Sequence, residues 1–177
     1  MLSRRQFLLM ATAGCAATLS PAAFANVLPR HERSLRLYNL HTGEKLTTTY
    51  WVDGEYVNDE LAAVNYLLRD YRNDAIDQID PRLLDQICLL RHKLDSNGTF
   101  HIISGYRSQQ TNAWLRRHET GVAKNSLHMQ GRAIDLRLPG VDLKHVRKAA
   151  LAMHAGGVGY YPKSNFVHLD TGRPRFW

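Results

Sequence analysis

Cysteine is scarce in this chain, with only Cys15 and Cys88 among 177 residues. That scarcity excludes a disulfide-stapled scaffold, and it argues against a closed structural zinc module, which usually takes four protein ligands and often thiolates. Long apolar runs are missing as well. The single apolar stretch, near the N-terminus, is shorter than the ~20 residues a bilayer-spanning helix needs. No block of five or more basic residues occurs, nor any basic motif interleaved with aromatics, so the formal net charge of +7 does not point to nucleic acid. The charge suits an anionic polymer such as cell-wall material equally well. Repeats and low-complexity segments are absent. What remains is an ordinary globular composition, 44% hydrophobic and 22% charged, long enough for one domain with a real core.

The N-terminus stands apart. "SRRQFLLMATAGCAATLSPAAFA" carries Arg4 and Arg5, a phenylalanine two residues on, an apolar run, and a closing Ala23-Phe24-Ala25 of the small-x-small kind read by signal peptidase. Residues 1–25 resemble a twin-arginine export signal. This divides the chain into a leader, 1–25, and a domain, 26–177, destined for the periplasm with no stable membrane insertion after the leader is removed. Lipidation at Cys15 is disfavoured because Thr12 stands where a lipobox leucine belongs. Removal of the leader takes two of the 23 basic residues and leaves a formal charge of +5. It also leaves Cys88 as the one thiol, in an apolar helical stretch where a buried inert side chain is expected.

Within the domain, residues 26–33 read as a polar, frayed start. "LRLYNL" (35–40) and "LTTTYW" (46–51) flank a glycine-containing connection and read as a β-hairpin. Asn58 is placed to cap a helix through about Arg72, with Leu61, Val64, Leu68 and Tyr71 on one stripe. Asp80-Pro81 opens a second helix with Leu83, Ile87, Leu90 and Leu94 at helical spacing. Residues 99–103 read as a strand, and Ser108 as the cap of a third helix to about His118. A fourth helix runs from Asp142 to about His154, stopped by Gly156 and Gly157. "VGYY" and "NFVHLD" supply two last strands. The order predicts a single α+β domain, a small antiparallel sheet flanked by helices.

Two segments hold unusual chemistry. From Ile134 to Leu138 apolar residues alternate, so Asp135 faces away from Ile134, Leu136 and Leu138. In "NFVHLD", Phe166, His168 and Asp170 share one strand face. His128 lies seven residues before Asp135, so an unbroken strand would place them on opposite faces. The chain must bend, and Gly131 can turn without steric penalty. The remaining seven histidines sit in ends, turns, helices or a strand without such company. Two imidazoles and a carboxylate match the three nitrogen or oxygen ligands of a catalytic zinc, whose fourth position is left to water.

The pattern S-x-H-x-x-G-x-A-x-D, here Ser126, His128, Gly131, Ala133 and Asp135, followed by the strand histidine His168, resembles the zinc motif of the D-Ala-D-Ala carboxypeptidase, dipeptidase and hedgehog-like group. "SGYRS" (104–108) resembles that group's substrate-side arginine loop. The wider pattern, from "ISGYRS" to "NFVHLDTG", is similar to the murein endopeptidase K subfamily over essentially all of 26–177. The resemblance implies one Zn²⁺ held by His128, Asp135 and His168. It implies Ser126 lining the site and Arg107 pairing with a substrate carboxylate or the oxyanion. It implies hydrolysis, by zinc-activated water, of amide cross-links between peptidoglycan stem peptides, including diaminopimelate–diaminopimelate links.

One departure matters. Many members of the wider group place a general base just before the last ligand, as H-x-H or E-x-x-H, where this chain has Phe166 and Asn165. Asp170 is the candidate base, with support of a ligand histidine as its rival role and His154 as a remoter base. A carboxypeptidase of the same group, or a zinc-containing wall-binding module, are the alternative functions. A twin-arginine leader further implies that zinc is loaded in the cytoplasm, before export.

Overall fold

The computed structural model describes residues 28, 29 and 31–177. The leader expected at 1–25 lies outside the described residues. Strands β1 (Glu32–Asn39) and β2 (Lys45–Val52) form the expected hairpin, extended by the two-residue β3 (Glu55–Tyr56). Strand β1 begins within the segment read as frayed. Arg33, 7% exposed, is held there by Asp85 at 2.8 Å and lies 4.0 Å from the Trp51 ring centroid.

Helix α1 spans Asn58–Leu67, so Asn58 is its first residue rather than its cap, and it ends five residues earlier than its apolar stripe suggested. The local chemistry of Asp70 explains the stop. Its carboxylate accepts from the Arg72 N–H, a side-chain-to-backbone bond that competes with helix continuation. Helix α2 (Pro81–Lys93) is capped by Asp80, which accepts from the Arg82 N–H. Strand β4 (Phe100–Ser104) follows, then α3 (Gln109–His118), with Ser108 capping through the Thr111 N–H. After β5 (Ala133–Arg137), Asp142 caps α4 (Leu143–Leu151). Strands β6 (Gly157–Tyr161) and β7 (Phe166–Asp170) pair antiparallel, and a short β8 (Arg175–Phe176) closes the edge.

The eight strands of the described residues join one sheet in the order β3-β2-β1-β4-β5-β7-β6-β8. The α+β expectation holds. The sheet is larger than the small antiparallel one expected, gaining the short β3 and β8, and two of its pairings, β1–β4 and β6–β8, are parallel. Cross-strand register decides which residues share a face. Ile134 faces Leu169 and Leu136 faces Val167, while Asp135 faces His168 and Ala133 faces Asp170. The first set joins Leu83, Ile87, Leu90, Val146 and Ala150 of α2 and α4 in a single core cluster. The second set gathers the acid and imidazole groups on the opposite face. Cys88 is fully buried, as its surroundings suggested, and is free of any disulfide among the described residues. Among the described residues, no helix is long and apolar enough to cross a membrane.

Candidate metal centre

Two adjacent central strands and one tight turn build the site. Ser126 starts a single 3₁₀ turn (Leu127–Gln130), its hydroxyl accepting from the His128 N–H at 3.4 Å. Gly131 ends that turn in the left-handed region, φ +62°. A Cβ at Gly131 would also strike the Gln78 carbonyl, so the bend between His128 and Asp135 needs glycine for two reasons. The turn carries His128 back over the sheet to the face where β5 presents Asp135 and β7 presents His168.

The three side chains converge. Nδ1 of His168 is 2.8 Å from Oδ1 of Asp135 and 3.2 Å from Nε2 of His128, which in turn is 3.4 Å from Oδ2 of Asp135. An ion bound tetrahedrally at about 2.0–2.1 Å from nitrogen and oxygen donors separates those donors by roughly 3.3 Å. The two ring nitrogens, 3.2 Å apart, lie near such an edge, and Asp135 approaches each of them through a different carboxylate oxygen. The ligand atoms the three buried residues offer all lie within 4.8 Å of one another. The outer nitrogen of each ring is already engaged. Nδ1 of His128 lies 2.8 Å from the Gly105 carbonyl, which only accepts, so this nitrogen carries the proton and Nε2 turns its lone pair inward. Nε2 of His168 faces Asp170 Oδ2 at 3.2 Å, which leaves Nδ1 as the inward donor. The donor set, two imidazole nitrogens and a carboxylate, therefore fits a metal ion.

Electrostatics agree. Burial alone would raise the Asp135 carboxyl, but His128 and His168 hold it well below the usual carboxylate range. Burial would lower His168, yet Asp135 and Asp170 outweigh it and push the imidazole up to about 9.

Asp170 is fully buried. Its Oδ1 accepts from the backbone N–H groups of Gly157 and Gly172 and from Arg175 Nη1, at 3.0, 2.8 and 3.0 Å. Its Oδ2 accepts from Arg175 Nη2 at 2.6 Å and meets His168. Five donors fill the roughly four lone-pair sites of a carboxylate. Of the two roles weighed for Asp170, general base and support of a ligand histidine, these contacts support the second. The acid sits behind the imidazole, on the ring nitrogen farther from the ligand cluster, with no lone pair free for a reacting water. Gly157 and Gly156 serve this arrangement rather than stopping a helix, because α4 ends at Leu151 and a Cβ on either glycine would collide with Asp170.

Arg107 lies on the loop between β4 and α3. Its backbone N–H donates to the His128 carbonyl at 3.1 Å, which ties the loop to the ligand turn. Among the described residues the guanidinium makes only long bonds, to Asn112 Oδ1 at 3.4 Å and Ser104 Oγ at 3.5 Å, and its buried Nε has no partner. Burial holds its pKa below the ordinary arginine value, while the Asp135 charge acts in the opposite sense. Asp70, missed by the sequence reading, fixes this loop by accepting from the Ser108 N–H at 2.9 Å. Arg175 was missed as well, since a two-residue edge strand carries no periodic signal.

The match to the family of peptidoglycan L,D-endopeptidase MepK covers residues 28–177. The chain belongs to this family. It is 46% identical over 176 residues to the peptidoglycan L,D-endopeptidase MepK of Escherichia coli K12, covering 99% of this chain and 97% of that protein. The probable MepK of Haemophilus influenzae is 40% identical over 160 residues, 90% of this chain and 86% of that protein. The His128–Asp135–His168 cluster lies inside the matched region. MepK membership and the buried cluster together make this a metallopeptidase domain of the mixed α+β kind.

Proposed function

We propose that this protein hydrolyses amide cross-links between peptidoglycan stem peptides, using one zinc ion held by His128 Nε2, His168 Nδ1 and Asp135. The observation that carries the reading is the convergence of three buried residues whose ligand atoms lie within 4.8 Å of one another, with the outer nitrogens of both rings already engaged. The ion, when bound, supplies Lewis acidity and lowers the pKa of water at its open position. The protein's own groups do the rest. The Gly105 carbonyl and Asp170 keep protons on the outer ring nitrogens, so the ligand tautomers are set before metal arrives. The Arg107 fork, short of strong partners, binds a substrate carboxylate or the oxyanion that develops on the cleaved carbonyl. Ser126 lines the site and caps the turn that aims His128. Asp170 acts as a positioning group for His168.

The relatives are named L,D-endopeptidases, which supports an amide joining an L-centre to a D-centre, as in a diaminopimelate–diaminopimelate link. The paired arginines and the small-x-small end of residues 1–25 support export to the periplasm by the twin-arginine route.

Incubation with muropeptide dimers of defined cross-link, followed by mass spectrometry of the products, tests the reading. Conversion of a diaminopimelate-linked dimer to monomers, stopped by a chelator and restored by zinc, is expected. Release of a single terminal amino acid instead would mark a carboxypeptidase.

A further inference from the structure

The face of the sheet that carries the ligands does not end at His168. On the neighbouring strand β6, Gly159 pairs directly with His168, and Tyr161 pairs with Phe166. Directly opposed residues in an antiparallel ladder project to the same side. The position beside His168 is therefore one where β6 contributes no side chain. Trp177 fills it. A Cβ on Gly159 would come within 2.8–2.9 Å of Cε2, Cζ2 and Nε1 of the Trp177 indole. The indole centroid is 5.3 Å from that of the His168 imidazole.

The indole is held firmly yet remains accessible. Its backbone N–H donates to the Val158 carbonyl, and its carbonyl accepts from the Tyr160 N–H. Nε1–H donates to the Tyr161 hydroxyl at 2.7 Å, so the polar edge of the ring is satisfied. Tyr161 stacks in turn on Phe166, with ring centroids 4.6 Å apart. Trp177 is nonetheless 47% exposed. A large apolar ring fixed by three hydrogen bonds, half open to solvent and next to a metal-ligand histidine, contributes little to the core. Rigid aromatic surface of this kind is what binding sites use to hold aliphatic groups at low entropic cost.

We propose that Trp177 is a substrate-binding residue, packing its indole against the aliphatic arm of a stem-peptide residue next to the scissile amide. Tyr161 and Phe166 continue the same apolar strip. Arg107, on the β4–α3 loop, offers the only charged group in the site without a strong partner among the described residues, so the two elements divide the substrate by chemistry. The anionic end of the peptide goes to Arg107 and its hydrocarbon portion to Trp177. The assignment rests on the peptidoglycan reading above and adds to it which residue sets affinity for the peptide.

The test compares wild-type protein, Trp177→Ala and Trp177→Phe in steady-state cleavage of a cross-linked muropeptide dimer, with bound zinc measured in each. The expected result for Trp177→Ala is a KM raised about three- to tenfold with kcat within twofold and zinc content unchanged. Trp177→Phe should recover most of the KM. Titration with the monomeric muropeptide should change tryptophan fluorescence in the wild type and leave it unchanged in Trp177→Phe, where Trp51 and Trp114 remain. An unaltered KM in Trp177→Ala overturns the assignment. So does a loss of zinc or of kcat at constant KM, which would make the indole a prop for His168. Wild-type protein that cleaves no dimer would instead sink the peptidoglycan reading itself.

Discussion

Asp135 and His168 sit directly opposite each other on β5 and β7, with Oδ1 and Nδ1 2.8 Å apart. Hydrogen-bonded strands fix this pair, so two of the three proposed ligands are positioned by backbone registry. A one-residue slip of β7 would turn His168 into the core and bring Leu169 to the ligand face. Only His128 depends on a turn, and Gly131 makes that turn possible.

The role of Asp170 can be separated from that of a base by metal dependence. As a positioning group, Asp170→Asn should weaken zinc binding by about 10- to 100-fold, and excess zinc should restore most of the cleavage rate. A proton shuttle would instead leave kcat depressed at saturating zinc. Measuring kcat across a zinc titration for the wild type and Asp170→Asn distinguishes the two.

Arg107 should act on substrate and not on metal. Arg107→Lys keeps the charge but loses the two-pronged geometry, and Arg107→Ala loses both. Each is expected to lower kcat/KM, by about tenfold and about 100-fold respectively, with zinc content unchanged. Steady-state kinetics alongside metal analysis checks this. A drop in bound zinc would instead place Arg107 among the supports of the His128 turn.

Asp70 predicts an acid-sensitive loop. Burial would raise its carboxyl, but bonds from the Thr111 side chain, the backbone and side chain of Ser108, and the Arg72 N–H hold it below the ordinary carboxylate value. A group lowered on folding stabilises the fold above its unfolded pKa, and the contribution is lost as pH falls through the folded value. Wild-type protein should therefore melt above Asp70→Asn at pH 7, and the gap should close toward pH 3. Thermal unfolding at a series of pH values is the check. A constant gap would contradict the assignment.

The parts of the molecule legible in sequence are those set by near neighbours. Asp80-Pro81, Ser108 and Asp142 announce helix starts because capping acts over three residues. The alternation of Ile134, Leu136 and Leu138 places Asp135 on the opposite face for the same local reason. The end of α1 was misjudged because the Asp70–Arg72 bond overrides an apolar stripe that continues to Leu68 and Tyr71. Asp170 was visible as the face-mate of His168, but its saturation by Arg175, Gly157 and Gly172 comes from chain packed in three dimensions. Nothing in the spacing of Gly159 and Trp177 signals that one vacates the space the other fills. Partners such as these lie beyond any periodicity.

The central claim is that His128, Asp135 and His168 close around a single cation that cleavage requires. Zinc should be counted by atomic emission on purified wild-type protein and His168→Ala, with dimer cleavage measured on the same samples. One zinc per wild-type chain is predicted, with less than about a tenth as much and no detectable cleavage in the variant. A wild-type protein that cuts dimers while holding no metal, or a His168→Ala variant that cuts them at the wild-type rate, would contradict it.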